Sequence, residues 1–191
     1  DQVVGPLGDG AASNDEAVDP WFLVGSSSVW NGIAMGAIDI ARRHTTRKRH
    51  VDVGMRVADY PTIQDYVGEA VMDTNACRVF VMSVANAMDR VTDDNRRVLE
   101  PGETARAAYL HWAWQIKFEA AKNTAHHVDK MLHACGGSGY KRDMELERYV
   151  RDAKAGWVMG PTNEVLRQFV GKAVLLGFEA LDYWNQTYNR R

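Results

Sequence analysis

A chain of 191 residues, 46% hydrophobic and 25% charged, has the length and composition of one globular domain with a sizeable core. Its net charge of -2 offers no basic field to nucleic acid, and no apolar run approaches the ~20 residues that span a bilayer, so neither partner is expected. Two cysteines, Cys77 and Cys135, on a helical segment and at a glycine turn, suit free thiols in a reducing compartment and so a cytoplasmic protein. The opening, DQVVGPLGDGAASNDEAVDP, has no signal-peptide pattern and reads as the end of a strand running into a polar turn, a short extended segment over residues 1–18.

From residue 19 onward helical periodicity takes over. Asp19-Pro20 is a helix start, because the carboxylate accepts from free amides and proline suits the first helical position. Leu23, Trp30, Ile33, Ala37 and Ala41 share one side, and Gly25, Ser26, Ser27, Ser28, Gly32 and Gly36 between them suggest close approach by a neighbour. After the basic TTRKRH stretch and a polar linker, Tyr60-Pro61 opens a helix in which Ile63, Val67, Ala70, Thr74, Cys77, Val81, Val84, Met88 and Val91 alternate steps of four and three, a bundle seam. The turn VTDDNRRVLEPGE leads into a third helix with Ala107, His111, Trp114, Phe118, Ala121, Ala125, Val128 and Leu132 on its seam. Three glycines follow, then a charged segment with Glu147–Arg151 and Arg148–Asp152 at four-residue spacing, then a last helix from Pro161 carrying Val165, Phe169, Ala173, Leu176 and Ala180. No segment from 19 to 185 reads as a strand. The expected fold is all-α: an antiparallel up-and-down four-helix bundle over residues 19–191.

Several side chains invite a chemical reading. The glycine turn and the helix start after Gly160 could each bring backbone amides to a ligand. His126, His127 and His133 suggest a metal, but no carboxylate or cysteine set converges on them at ligand spacing, so packing and hydrogen bonding are favoured and no metal site is expected. His111, on an apolar seam, reads as a core histidine, and Trp112 and Trp114 as packing.

Three motifs carry a resemblance. Gly136, Gly137, Gly139 and Tyr140, then Glu147, Arg148, Arg151, Asp152 and Ala153, then Gly160, Thr162, Asn163, Glu164, Val165 and Arg167 with Pro161 inserted, stand in one order. That order and spacing resemble the carboxyl-terminal part of the acyl-CoA dehydrogenase family, and the resemblance covers nearly the whole chain. It implies that residues 1–18 end the family's middle β-domain and that 19–191 form its C-terminal helical domain, the earlier domains lying outside this chain. It further implies FAD as cofactor, an acyl thioester as substrate of α,β-dehydrogenation, and a homo-oligomer, a dimer of dimers, in which the glycine turn lies against a neighbour's FAD.

By the same resemblance the cofactor candidates are Gly136, Gly137, Gly139, Thr162 and Glu164. His133 stands where the family often has a glutamine, and Lys48 or Arg49, beside Arg47, replaces a pyrophosphate-binding arginine. The family's catalytic carboxylate maps to Met159, or in some members to Phe22, and neither can accept a proton. Glu164 is the one carboxylate near in sequence. Two alternatives stay open: a non-catalytic partner or scaffold subunit, and a flavin monooxygenase of the same superfamily.

Overall fold

The computed structural model describes residues 7, 8, 10–90, 92 and 105–177. A single turn, α1 (Gly10–Ser13), and a π-helical turn (Asn14–Val18) run directly into α2 (Asp19–Arg47). A two-residue antiparallel ribbon, β1 (Arg49–His50) with β2 (Met55–Arg56), and a 3-10 turn (Val57–Asp59) lead to α3 (Pro61–Asp89). Then come α4 (Ala105–Cys135), the 3-10 turns Gly136–Ser138 and Arg142–Met144, α5 (Leu146–Val158) and α6 (Asn163–Leu176).

Three buried clusters stack along the bundle and fix its directions. One joins Leu23 to Leu110, Ala113, Trp114 and Leu166; the next joins Val24 and Trp30 to Val81, Val84, Met88, Ile116 and Ala120. A third joins Ala37 and Ala41 to Ala70, Val128, Met131, Leu146 and Ala153. Early α2 thus meets late α3 and early α4, and late α2 meets early α3 and late α4, so α3 runs antiparallel to both. Together α5 and α6 make the fourth column, broken between Val158 and Asn163. The all-α, up-and-down four-helix bundle is therefore what the chain adopts, with α4 touching each of the other long helices.

The seam of α3 holds: Ala70, Thr74, Cys77, Val81, Val84 and Met88 are all buried, while Val91 lies outside the described residues. On α4 the buried surface is wider than the seam. Ala113, Ile116, Lys117, Ala120, Thr124, His127 and Met131 are buried as well, because a helix at the centre needs two apolar faces and a single stripe describes only one. Polar ties cross from it: Thr124 Oγ1 donates to the Trp30 carbonyl oxygen at 2.8 Å, and Asn123 Nδ2 to that of Asp73 at 3.3 Å. Both cysteines are buried and free, and burial pushes each thiol up to about 11.

Four expectations need correction. Residues 10–18, expected to be extended with 1–9, are helical, so Asp19-Pro20 continues a helix instead of starting one; residues 1–6 and 9 lie outside the described residues. The linker after α2 forms the β-ribbon, closed by Gly54 at φ +68° and by the Arg56 guanidinium on Asp59, 2.7 Å apart. The last helix starts at Asn163 and ends at Leu176, burying Leu166 and Ala173 where the sequence stripe ran through Val165 and Leu176; Ala180 lies outside the described residues. In α5 the Glu147–Arg151 ion pair forms, whereas Arg148 approaches Glu145, 3.8 Å away.

The small residues of α2 divide by function. Ser27 and Ser28 donate back to the carbonyl oxygens of Leu23 and Val24, and a Cβ at Gly25 or Gly32 would meet nothing within 4 Å. Only at Gly36 does a neighbour close in, a Cβ there falling 2.8 Å from the Tyr149 ring; on the facing helix a Cβ at Gly156 would fall 2.7 Å from the Trp30 indole. An indole locked under α5 cannot yield, so Gly156→Ala is expected to destabilise by about 1–3 kcal/mol, whereas Gly32→Ala gains up to ~1 kcal/mol of helix propensity. Urea denaturation followed by circular dichroism checks both signs.

Candidate functional site

The residues singled out in the sequence fall into two groups at opposite ends of α5. That helix has 13 residues, a length of ~20 Å.

At the first end α4 stops at Cys135 because Gly136 takes φ +56°, a left-handed value that favours glycine, and the Gly139 amide closes the turn on the Gly136 carbonyl oxygen at 2.9 Å. Gly139 is glycine for a second reason: a Cβ there would sit 2.8 Å from that of Cys135. Gly137 has neither constraint, since its φ is not positive and a Cβ would meet nothing within 4 Å. It is exposed, as are Tyr140 and His133, whose Nε2 lies 3.8 Å from Asp129. Lys48, the C-cap of α2, and Arg49, on the ribbon, are exposed at this same end of the bundle, with Arg47 beside them.

At the second end is the break between α5 and α6. Residue Met159 is extended, the Gly160-Pro161 peptide is cis, and Thr162 caps α6 by accepting from the Val165 amide at 3.4 Å. Met159 is 40% exposed, and Phe22, the other position to which the resemblance maps the base, is 41% exposed. Glu164 is exposed and engaged, accepting from Trp157 Nε1 at 2.8 Å and lying 3.8 Å from Arg167. The Trp157 hydrogen bond, with smaller help from its own backbone, Thr162 and Arg167, holds its carboxyl below the usual carboxylate range. It has the chemistry of a fixed anion rather than of a mobile base.

What the sequence reading missed lies beneath this break. Lys117, fully buried in mid-α4, donates from Nζ to the Gly156 carbonyl oxygen at 2.8 Å, to that of Met159 at 3.1 Å and to Asn163 Oδ1 at 3.0 Å. Its ammonium also lies 5.5 Å from the centre of the Trp30 ring. Asn163, equally buried, donates from Nδ2 back to the Phe118 carbonyl oxygen at 3.3 Å. A broken helix leaves its last carbonyls without amide donors, and here one ammonium serves two of them while holding the next helix start. Burial pushes Lys117 down to about 8, with the Glu164 charge opposing. All three of its protons have acceptors, so it anchors the break and is not a substrate base. The visible signal was a lone lysine between Ile116 and Phe118 on an apolar helix.

Among the histidines of α4, His127 is packed and hydrogen-bonded as expected, but the premise that no carboxylate converges on them fails. His127 is 1% exposed and pairs through Nε2 with Asp73 Oδ2 at 3.0 Å, while His126 Nε2 lies 4.0 Å from Glu69 Oε2. Glu69 and Asp73 come from α3, one turn apart, so carboxylates do converge on these histidines, across a helix pair that the spacing within α4 could not reveal. His133 stays outside the group.

A family model described as "Acyl-CoA dehydrogenase, C-terminal domain" matches residues 24–175, which include the glycine turn and the helix break. The chain belongs to the acyl-CoA dehydrogenase family. It is 29% identical over 144 residues to cyclohex-1-ene-1-carbonyl-CoA dehydrogenase of Geobacter metallireducens, covering 75% of this chain and 34% of that protein. It is also 29% identical over 152 residues to 3-sulfinopropanoyl-CoA desulfinase of Paraburkholderia xenovorans, covering 80% of this chain and 34% of that one. The solved complex of glutaryl-coenzyme A dehydrogenase with glutaryl-CoA shares the fold, with a TM-score of 0.72 at 16% identity over 91% of this chain and 40% of that one. The chain thus spans about a third to two fifths of these relatives.

The anchoring role of Lys117 gives a signed expectation. Lys117→Met removes the desolvation of an ammonium but strands three acceptors, and the second effect dominates, destabilising by roughly 1–3 kcal/mol near neutral pH. With a folded value of about 8 and an unfolded one of ~10.4, the lysine binds more protons in the unfolded chain between those limits. Its contribution is complete above ~10.4 and lost as pH falls through about 8. The stability difference between parent and Lys117→Met, from denaturation across this range, should widen in the parent's favour as pH rises.

Proposed function

We propose that the chain is the C-terminal helical domain of an FAD-dependent flavoenzyme of the acyl-CoA dehydrogenase type that acts on acyl thioesters. The observation that carries this reading is the family match across residues 24–175 taken with an exposed glycine turn and an exposed helix break at the two ends of α5. A flavin, when bound, supplies the hydride acceptor. The chain's part is to bind and position. At the first end Gly137, free of conformational and packing demands, permits close approach of a bulky group, and Lys48, Arg49 and His133 offer donors to a pyrophosphate. These residues fit the cofactor. At the second end Thr162 is engaged as a cap, so its hydroxyl serves the helix first, and Glu164 contributes fixed negative charge beside Met159.

The ~20 Å between the two groups supports self-association, in which the glycine turn of one copy and the helix break of another serve the same cofactor. The exposed Val174, Leu175 and Leu176 at the end of α6 add apolar surface for contact with another copy or domain.

A second reading rests on Met159 and Phe22: neither side chain can take a proton from the carbon next to the thioester. The flavin reaction would then differ from simple dehydrogenation, or the chain would be a partner subunit without its own turnover. The similarity to a desulfinase, equal in identity to that with a dehydrogenase, suits the first of these.

One experiment separates the readings. The whole protein carrying this chain, purified yellow with flavin, should be reduced slowly by saturated acyl-CoA, and Met159→Glu should raise that rate by ~100-fold or more, since proton transfer by a positioned carboxylate contributes about that much. Lys117 holds the Met159 main chain, which the substitution leaves intact. Rapid reduction of the parent, unchanged in Met159→Glu, would refute the view of the base; a colourless protein indifferent to added FAD would refute the flavoenzyme.

A further inference from the structure

A groove of about 880 Å³ runs along the outer face of α4, with α3 on one side and α5 on the other. Glu69, Asp73 and His126 line its α3 rim, and the buried His127 meets Asp73 there. One ligand atom from each of Glu69, His126 and His127 lies within 4.8 Å of the other two, and Asp73 Oδ2 lies 3.0 Å from His127 Nε2. We propose that these four residues bind one divalent cation of the zinc class.

The donor set selects the ion. Two imidazoles with two carboxylates suit zinc and its neighbours cobalt and nickel, whereas calcium and magnesium require oxygen donors throughout. Ligands ~2.1 Å from a tetrahedral zinc stand ~3.4 Å apart, so the cluster must close by roughly 1 Å. The means to do so are present. His127 is fixed in the core, but Glu69 and His126 are about half exposed, on side chains free to rotate toward it. At 4.0 Å their own pairing is loose, and an ion between them would draw both in.

His127 is the fixed member of the group. Its ring is 1% exposed and its Nε2, 3.0 Å from Asp73 Oδ2, is the nitrogen that faces the carboxylate. Asp73 Oδ2, beside that nitrogen, supplies the fourth ligand. The lysines lining the groove do not fill the place of a cation here: Lys122 is paired with Glu119, 3.2 Å away, and Lys154 lies over the Trp157 ring.

The test is a zinc titration of the whole protein after chelation and dialysis, in competition with a chromophoric chelator and with cobalt absorption as second readout. One zinc per chain is expected, with affinity at least ~10-fold weaker in each of His126→Ala and Glu69→Gln and unchanged in His50→Ala, an exposed histidine outside the group. Cobalt should give tetrahedral bands in the parent that are lost in His126→Ala. Both variants alter exposed side chains, so folding is not at issue. Absence of saturable zinc binding, or parent-like affinity in either variant, overturns the site.

Discussion

The structure turns on one ammonium enclosed by three acceptors. A bundle whose fourth helix stops and restarts exposes main-chain carbonyls in a place water cannot reach, and unpaired buried acceptors each lose about 1–3 kcal/mol. Lys117 meets that demand from the central helix, joining the end of α5 to the start of α6. Placing a charge there is unfavourable in itself, since burial strips the ammonium of water and pushes its pKa down to about 8. The geometry compensates, because the ammonium faces the negative end of the α5 dipole, the Trp30 ring lies beside it and Glu164 adds negative charge.

Holding the break by its main chain leaves the side chains there free for other work. Met159 is anchored through its carbonyl oxygen while its thioether reaches the surface, so the residue at this position can change without loosening the turn. The same helix that carries Lys117 ends in the glycine turn, and α4 therefore sets a fixed spacing between the two candidate surfaces. Rigid separation of this kind makes sense when the two surfaces serve different copies of a ligand, or one ligand shared between chains.

Much of this was legible in the sequence where one face of one helix decides the outcome. The α3 seam from Ala70 to Met88 is buried as read, and the motif order from Gly136 to Arg167 led to the family that the residue 24–175 match establishes. Features set by two or more helices were not legible. On α4 the stripe through Trp114 and Phe118 hid a second buried face, and with it Lys117 and Thr124. The offset on α6, where Leu166 replaces Val165 as the buried position, follows from a helix start at Asn163 that depends on the Lys117 contact. Likewise His126 and His127 acquire Glu69 and Asp73 only when α3 and α4 lie side by side.

Hydrogen exchange of the amides from 156 to 166 tests most directly whether Lys117 holds the break. In Lys117→Met, exchange there should accelerate by at least ~10-fold while the α3 amides from Ala70 to Val81 keep the parent's rates, since local opening is governed by local contacts. Unchanged exchange at the break, or equal acceleration throughout the bundle, would contradict that role.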